Sequence, residues 1–357
     1  MKRGYLLIAV VVAAALIISL SILNSNKEDF STYNTEWNGA SQIKNVAATE
    51  GYSTANIFSM SDLSSHHKGT LVMLNPNASV GFTQADIRDI QSFVQNGGSL
   101  VLANDFGNAN AVLSGLGLSD TAHFNGALLS DNVSKGVDQA HPLITDVTSS
   151  SLTTGVKTLY FNYGTALNVS GSSVTVLARS DPTSYLRTAT GDNAPIAGST
   201  GAKPVLASLN YGQGRIILLS DPSVFINGMV SQADNQQLFT NLITTLTGGD
   251  TSATILFDQS QRASQPLLSS TYDRINADDN LKYTLIVLSI AAVVIGVNVV
   301  AYTRRQRPRA DASTVRVNED VAIADVMERH PGWRRSRITT LLKQLQKRRK
   351  APYDDRK

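Results

Sequence analysis

Hydrophobic positions are spread unevenly along the chain. Two stretches are uncharged and apolar on every side, Tyr5–Leu23 ("YLLIAVVVAAALIISLSIL") and Tyr283–Tyr302 ("YTLIVLSIAAVVIGVNVVAY"). Each is long enough to cross a hydrocarbon core of roughly 30 Å, so the pattern predicts two transmembrane helices. The domains that follow from this are an anchor over 1–26, a main domain over 27–250, a membrane-proximal connector over 251–280, a second span over 281–303 and a tail over 304–357.

Within the main domain, short apolar runs alternate with segments of helical period. "STANIFSM" and "GTLVMLNP" read as strands, the second ending at Asn75-Pro76. "TQADIRDIQSFVQNGG" reads as a helix. Thr83 is its N-cap candidate with Asp86 three residues on, Ile87, Ile90, Phe93 and Val94 form its apolar face, and Gly97-Gly98 end it. "SLVLAND" is a further strand and "ANAVLSGLGL" a further helix. Residues 121–204 are rich in Ser, Thr, Gly and Asn and predict an antiparallel or irregular insertion. "GQGRIILLSDPSVFING" then returns to a buried strand, followed by the helix "ADNQQLFTNLITTLTGG". Strands alternating with helices of this length imply parallel βαβ units, an α/β fold with a parallel-sheet sandwich.

Charge gives the two apolar runs an orientation. Lys2 and Arg3 precede the first run, and Arg304, Arg305, Arg307 and Arg309 follow the second. The bias predicts a two-pass protein of the cell membrane, with both termini cytoplasmic and the main domain extracytoplasmic. Residues 27–280 carry a net charge of −9 and residues 303–357 a net of +9, so an overall +3 conceals an acidic domain and a basic tail. "LNSNKE" after the first run is a poor cleavage site, which favours an uncleaved anchor over a signal peptide.

The chain has no cysteine. Disulfides, thiolate metal sites and a cysteine nucleophile are therefore excluded. The remaining chemistry gathers at strand ends. In an open α/β sheet the carboxyl ends of the strands form the ligand crevice, which makes Asp105 in "LANDFGN", Asp221 in "LLSDPSVF" and Asn75 the ligand-binding candidates. Paired aspartates could bind a cation or sugar hydroxyls, or act as acid and base. An Asp before Pro is also a common turn former that caps nearby N–H groups. "GQGR" precedes a strand, whereas phosphate-binding glycines follow one, so no cofactor is expected. His66-His67 has no third ligand nearby, and no metal site is expected. No Gly-x-Ser-x-Gly elbow occurs. Asn77, Asn132 and Asn168 head glycosylation sequons.

In the tail, Ile338, Leu341, Leu342 and Leu345 make one apolar stripe on a helix that follows His330-Pro331-Gly332. Arg334, Arg335, Arg337, Lys343, Lys347 and Arg348 surround it. The pattern fits docking on anionic lipid, binding a protein partner, or a minimal helix-turn-helix. The bilayer and a protein partner in a membrane complex are the expected partners; nucleic acid is not.

"FSTYNTEWNGASQI", "GTLVMLNP" with "FVQNGGSLVLAND", and "GQGRIILLSDPSVFIN" with "DNQQLFTNLI" resemble the membrane proteins of the domain-of-unknown-function family numbered 4350. That resemblance implies a class I glutamine amidotransferase-like, flavodoxin-like sandwich over roughly residues 30–248. It also places Asp105 in the seat that active amidotransferases give to a cysteine nucleophile, and no histidine lies between His141 and His330. Amide hydrolysis by a thiolate is thereby excluded. The expectation is a non-enzymatic ligand sensor or scaffold of a membrane complex. The alternatives are a hydrolase or carbohydrate-active enzyme using the strand-end carboxylates, and a tethered regulator whose tail binds nucleic acid.

Overall fold

A computed structural model describes residues 27–189, 194–262 and 319–349, together with isolated helical positions between 283 and 302. The chain divides into two units, one spanning 15–287 and the other combining 1–14 with 288–357.

The first unit is built on an eight-stranded sheet. β1 (Ser53–Ile57), β2 (Thr70–Leu74) and β3 (Ser99–Ala103) come early in the chain. After the short strands β4 (Ala122–Phe124), β5 (Leu128–Ser130) and β6 (Leu143–Ile144) come β7 (Asp146–Val147), β8 (Leu159–Tyr160), β9 (Leu167–Val169), β10 (Val174–Arg179) and β11 (Tyr185–Arg187). β12 (Pro204–Tyr211), β13 (Gly214–Leu219) and β14 (Thr254–Asp258) complete the set. The order across the main sheet is β1-β14-β2-β3-β13-β12-β10-β7. The first five strands are mutually parallel, and β12, β10 and β7 extend them antiparallel.

Helices cover both faces. α1 (Ser41–Thr49) and α4 (Asn235–Leu246) share one apolar cluster with Val72, Val101, Ile217 and Ile255. α2 (Gln84–Gln95) and α3 (Ala109–Gly115) share the other with Leu71, Leu100, Ile216 and Leu256. Consecutive strand residues thus alternate between two buried layers, which explains why these strands read as continuous apolar runs. α2 starts where its sequence signal places it: the Asp86 N–H donates to Thr83 Oγ1 (3.2 Å) and the Thr83 N–H donates back to Asp86 Oδ2 (2.8 Å).

Three expectations change. The sheet is mixed rather than parallel, because the 121–204 segment supplies β10 and β7, and β12 turns back on β13 as a hairpin. The stretch expected as a connector contains β14, which inserts between β1 and β2. The two transmembrane helices, and the two-pass membrane location that rested on them, are also corrected: among the described residues no helix is long and apolar enough to cross a membrane. The longest described helix, α6 (Arg335–Arg349), has 15 residues, about 22 Å of rise, and is studded with Arg and Lys. Residues 5–23, and most of 283–302, lie outside the described residues.

The second unit contributes α5 (Glu319–Arg329) and α6, which pack on each other.

Candidate functional site at the strand ends

All five parallel strands end at the same edge of the sheet, and the turns that follow β2, β3, β13 and β14 bring the polar residues together there. β2 runs into Asn75, whose φ of 44° turns the chain sharply before Pro76, a conformation Asn tolerates better than most residues. The ladder continues one step past the strands: the Asn75 N–H donates to Ala103 O (2.8 Å) and the Asn104 N–H to Leu219 O (3.0 Å). The turns after β2 and β3 are stitched by the Asn108 N–H donating to Pro76 O (2.7 Å).

Asp105 and Asp221 occupy equivalent positions on adjacent strands, because Ala103 pairs with Leu219 and each aspartate lies two residues beyond. Their surroundings differ. Asp105 is 8% exposed and lines an open cleft of about 540 Å³ with Asn75, Phe106, Gly107, Arg262 and the N-terminal segment 27–30. Burial pushes its carboxyl up to about 6, against hydrogen bonds from the Phe106 N–H and the Asn75 side chain. Asp221 is wholly buried. Its Oδ1 accepts the Ser223 N–H (2.8 Å), capping the short 3₁₀ turn Pro222–Phe225, and its Oδ2 accepts the Asn162 N–H (2.5 Å). Burial, with the nearby Asp105 charge adding to it, raises its carboxyl well above the usual range. Of the three candidates from sequence, Asn75 and Asp105 therefore meet in the cleft, while Asp221 is walled off behind it.

Two glycines shape these ends. A Cβ on Gly107 would fall on Asn75 Oδ1 and Pro76 O and 2.6 Å from Asn104 Oδ1. A Cβ on Gly164 would lie 2.7 Å from Asp221 Cβ. Among the described residues, the buried oxygens Asn75 Oδ1 and Asn104 Oδ1 have no hydrogen-bond partner, an uncommon state for buried polar atoms.

Sequence reasoning missed Arg262, Gln259 and Asn227. The Arg262 guanidinium donates to Leu74 O and to Asn75 O (3.5 Å) and lies 5.7 Å from the Phe30 ring centroid, so it closes one wall of the cleft. Gln259 Oε1 accepts the Ser31 hydroxyl (3.0 Å) and the Thr32 N–H (3.3 Å). Asn227 Nδ2 donates to Asn34 O (3.0 Å) and Glu36 O (2.7 Å), and its Oδ1 accepts the Gln42 N–H (2.8 Å). Together they pin residues 31–42 as a strap tied to the turns after β14 and β13. The "FSTYNTEWNGASQI" stretch is this strap. A lone Gln or Asn after an apolar run was the only signal for these anchors.

The other candidates sit apart. Asn132 and Asn168 are exposed and Asn77 is half-buried. Asn168 Nδ2 lies 2.8 Å from His123 Nε2, and Asn77 Oδ1 accepts the Ser79 N–H (2.8 Å). Arg334, Arg335, Arg337 and Lys343 are exposed, while the side chains of Lys347 and Arg348 lie outside those described. Among the described residues no group of three or more His, Cys, Asp or Glu side chains could hold a metal ion.

Among solved structures, the chain is similar to the mmIFT52 N-terminal domain at 16% identity and a TM-score of 0.42, over 54% of this chain and 83% of that one. It is similar to the cytoplasmic protein STM3548 from Salmonella typhimurium at 14% identity and a TM-score of 0.34, over 56% and 78% of the two chains. A cold-adapted beta-galactosidase from Rahnella sp. R3 matches at 14% identity and a TM-score of 0.31, over 50% of this chain and 22% of the enzyme. Likeness at these scores does not bear on function. No curated protein matches. The sequence profile of the family described as Domain of unknown function (DUF4350) matches residues 32–243, from the strap into α4 and more than half of the 357 residues, and the chain belongs to that family.

Proposed function

We propose that the α/β unit is a non-enzymatic ligand-binding module, sensing a small polar molecule in the cleft at the ends of β2 and β3. The observation that carries the reading is the Asp105 carboxyl, partly exposed in a cleft that also offers the Phe106 ring, which is 40% exposed, and the Arg262 wall. A carboxylate largely removed from water favours a ligand that brings hydrogen-bond donors, hydroxyl or ammonium groups, and restores what burial removed. An apolar ring beside such an acceptor suits a ligand with one apolar face. The amidotransferase-like resemblance agrees with this reading: the turn after β3 keeps the place of a nucleophile and fills it with a group that binds rather than attacks.

A hydrolase using Asp105 and Asp221 as acid and base has weaker support. Both Asp221 oxygens are taken by backbone N–H groups, and its side chain has no exposed surface. Of the two strand-end aspartates only Asp105 faces the cleft, so this pair does not supply the two carboxyls that acid–base chemistry on a glycoside uses.

The test is thermal melting of the full chain against a panel of polyols, amino acids, polyamines and hydroxy acids. At a ligand concentration about 100 times Kd, one class should stabilise the wild type by about 2.7 kcal/mol, a shift of a few degrees. The Asp105→Asn variant should not respond to that class. A panel with no responder, or a shift that survives in Asp105→Asn, contradicts the proposal.

A further inference from the structure

Two groups of opposite charge line the cleft, and neither has a counter-charge in contact. The Arg262 guanidinium donates to the main-chain oxygens of Leu74 and Asn75 and lies against the Phe30 ring. Its Nε has no hydrogen-bond partner, so part of the guanidinium fork is unused. Burial pulls Arg262 below the usual arginine range, although Asp258, Glu28 and Asp29 are close enough to be felt. Asp105 accepts the Phe106 N–H and a hydrogen bond from the Asn75 side chain. Among the described residues neither Arg262 nor Asp105 forms an ion pair. A charge taken out of water without a partner is costly, so buried charges are ordinarily paired.

Asn75 holds these two charges apart. Its main-chain oxygen accepts from Arg262 (3.5 Å) while its side chain bonds Asp105, so the opposite poles stand about one residue's width from each other. The backbone on both sides of the cleft is unusual. Asn75 has a φ of 44° and Phe30 a φ of 59°, and a bulky residue in the left-handed region is an outlier of the kind found at ligand clamps. Glu28 and Asp29 also line the cleft, and with Asp105 they outnumber Lys27 and Arg262 by one.

We infer that the ligand of this cleft is a zwitterion of amino-acid type, with its ammonium on Asp105 and its carboxylate on Arg262. The inference rests on the reading of the cleft as a binding site and names what it binds. Each pole of such a ligand supplies the counter-charge that one desolvated group lacks, through a charge-assisted hydrogen bond. The ammonium and carboxylate of an amino acid are carried by one carbon, a spacing on the scale of poles held one residue apart. A carboxylic acid alone would meet the acidic excess of the cleft, and an amine alone would leave Arg262 unpaired. The Phe106 ring, 40% exposed beside Asp105, suits an apolar side chain.

The experiment titrates the full chain calorimetrically with matched compounds, above the Asp105 midpoint of about 6. Leucine carries both poles, leucinamide only the ammonium and 4-methylpentanoate only the carboxylate. Phenylalanine, phenylalaninamide and 3-phenylpropanoate form a second set with an aromatic side chain. In at least one set the zwitterion should bind about tenfold or more tighter than either single-pole compound, the difference expected for one charged hydrogen-bonded contact. Arg262→Gln should remove most of the advantage over the amide, and Asp105→Asn most of the advantage over the acid. Loss of folding would weaken all compounds together, and the wild-type ratios are decisive without the variants. The inference is overturned if neither zwitterion binds, or if in both sets a single-pole compound binds as tightly. A polyol or amine that binds the wild type but not Asp105→Asn, with no preference for the zwitterion, overturns this inference and leaves the cleft standing as a binding site. A chain that binds nothing from either panel removes both.

Discussion

The ends of β3 and β13 start from the same chemistry and finish differently. Each strand leaves the sheet with an aspartate two residues past its last paired position. After β13, Pro222 fixes the backbone into a 3₁₀ turn, Gly164 lets a loop lie directly on Asp221, and two N–H groups close over the carboxyl. After β3, Gly107 lets the turn fold back onto Asn75 and Asn104, and Asp105 keeps an open side toward the cleft. The lesson is that a strand-end aspartate becomes a cap or a site according to what packs over it. The residue itself does not decide.

The comparison can be broken most severely at β13. Asp221→Ala removes the acceptor for two buried N–H groups, each costing about 1–3 kcal/mol when left unpaired, so unfolding in urea should show a loss of about 2–6 kcal/mol. A loss below about 1 kcal/mol would mean that the buried carboxyl is not the keystone of that turn.

At β3 the sign should reverse. Asp105 titrates near 6 when folded against 3.8 ordinarily, so the folded state holds a proton that the unfolded state has released between those values. Stability should therefore fall as pH rises from about 4 to about 6 and then level, at a cost of about 3 kcal/mol. Asp105→Asn should match the wild type near pH 4 and exceed it increasingly up to pH 6. A site that is stabilised by losing its functional group follows the usual exchange between stability and function. A variant less stable than the wild type at pH 7 would assign Asp105 to structure, as Asp221 is.

Much of this architecture was legible in the sequence where local signals were strong. The capping box at Thr83 and Asp86, the apolar runs of β2 and β3 and the 3.6-residue period of α2 located one βαβ unit within a residue or two. Asp105, Asp221 and Asn75 were legible as strand-end residues because strand ends in such sheets converge. Burial was not legible: nothing in "LLSDPSVF" reveals that Asn162 will close over Asp221 from a segment 59 residues away. β14 escaped for a related reason. Its five residues carry the same apolar character as β2 and follow α4 and Gly248-Gly249, but a polar run comes after them instead of a second helix, and their place between β1 and β2 is set only by tertiary pairing. Arg262 was lost with it. The uncharged runs at 5–23 and most of 283–302, read as membrane spans, lie outside the described residues, among which no helix is long and apolar enough to cross a membrane.

The most direct test follows the two carboxyl carbons by NMR as pH is raised from 3 to 9, with each aspartate assigned by its Asn variant. Asp105 should titrate with a midpoint near 6, and that midpoint should move when a ligand from the responding class is added. Asp221 should show no ligand-dependent change beyond a small shift as the Asp105 charge forms. An Asp105 midpoint near 4 that ignores every ligand, or an Asp221 that responds to ligand as strongly as Asp105, would contradict the division between an open site at β3 and a sealed cap at β13.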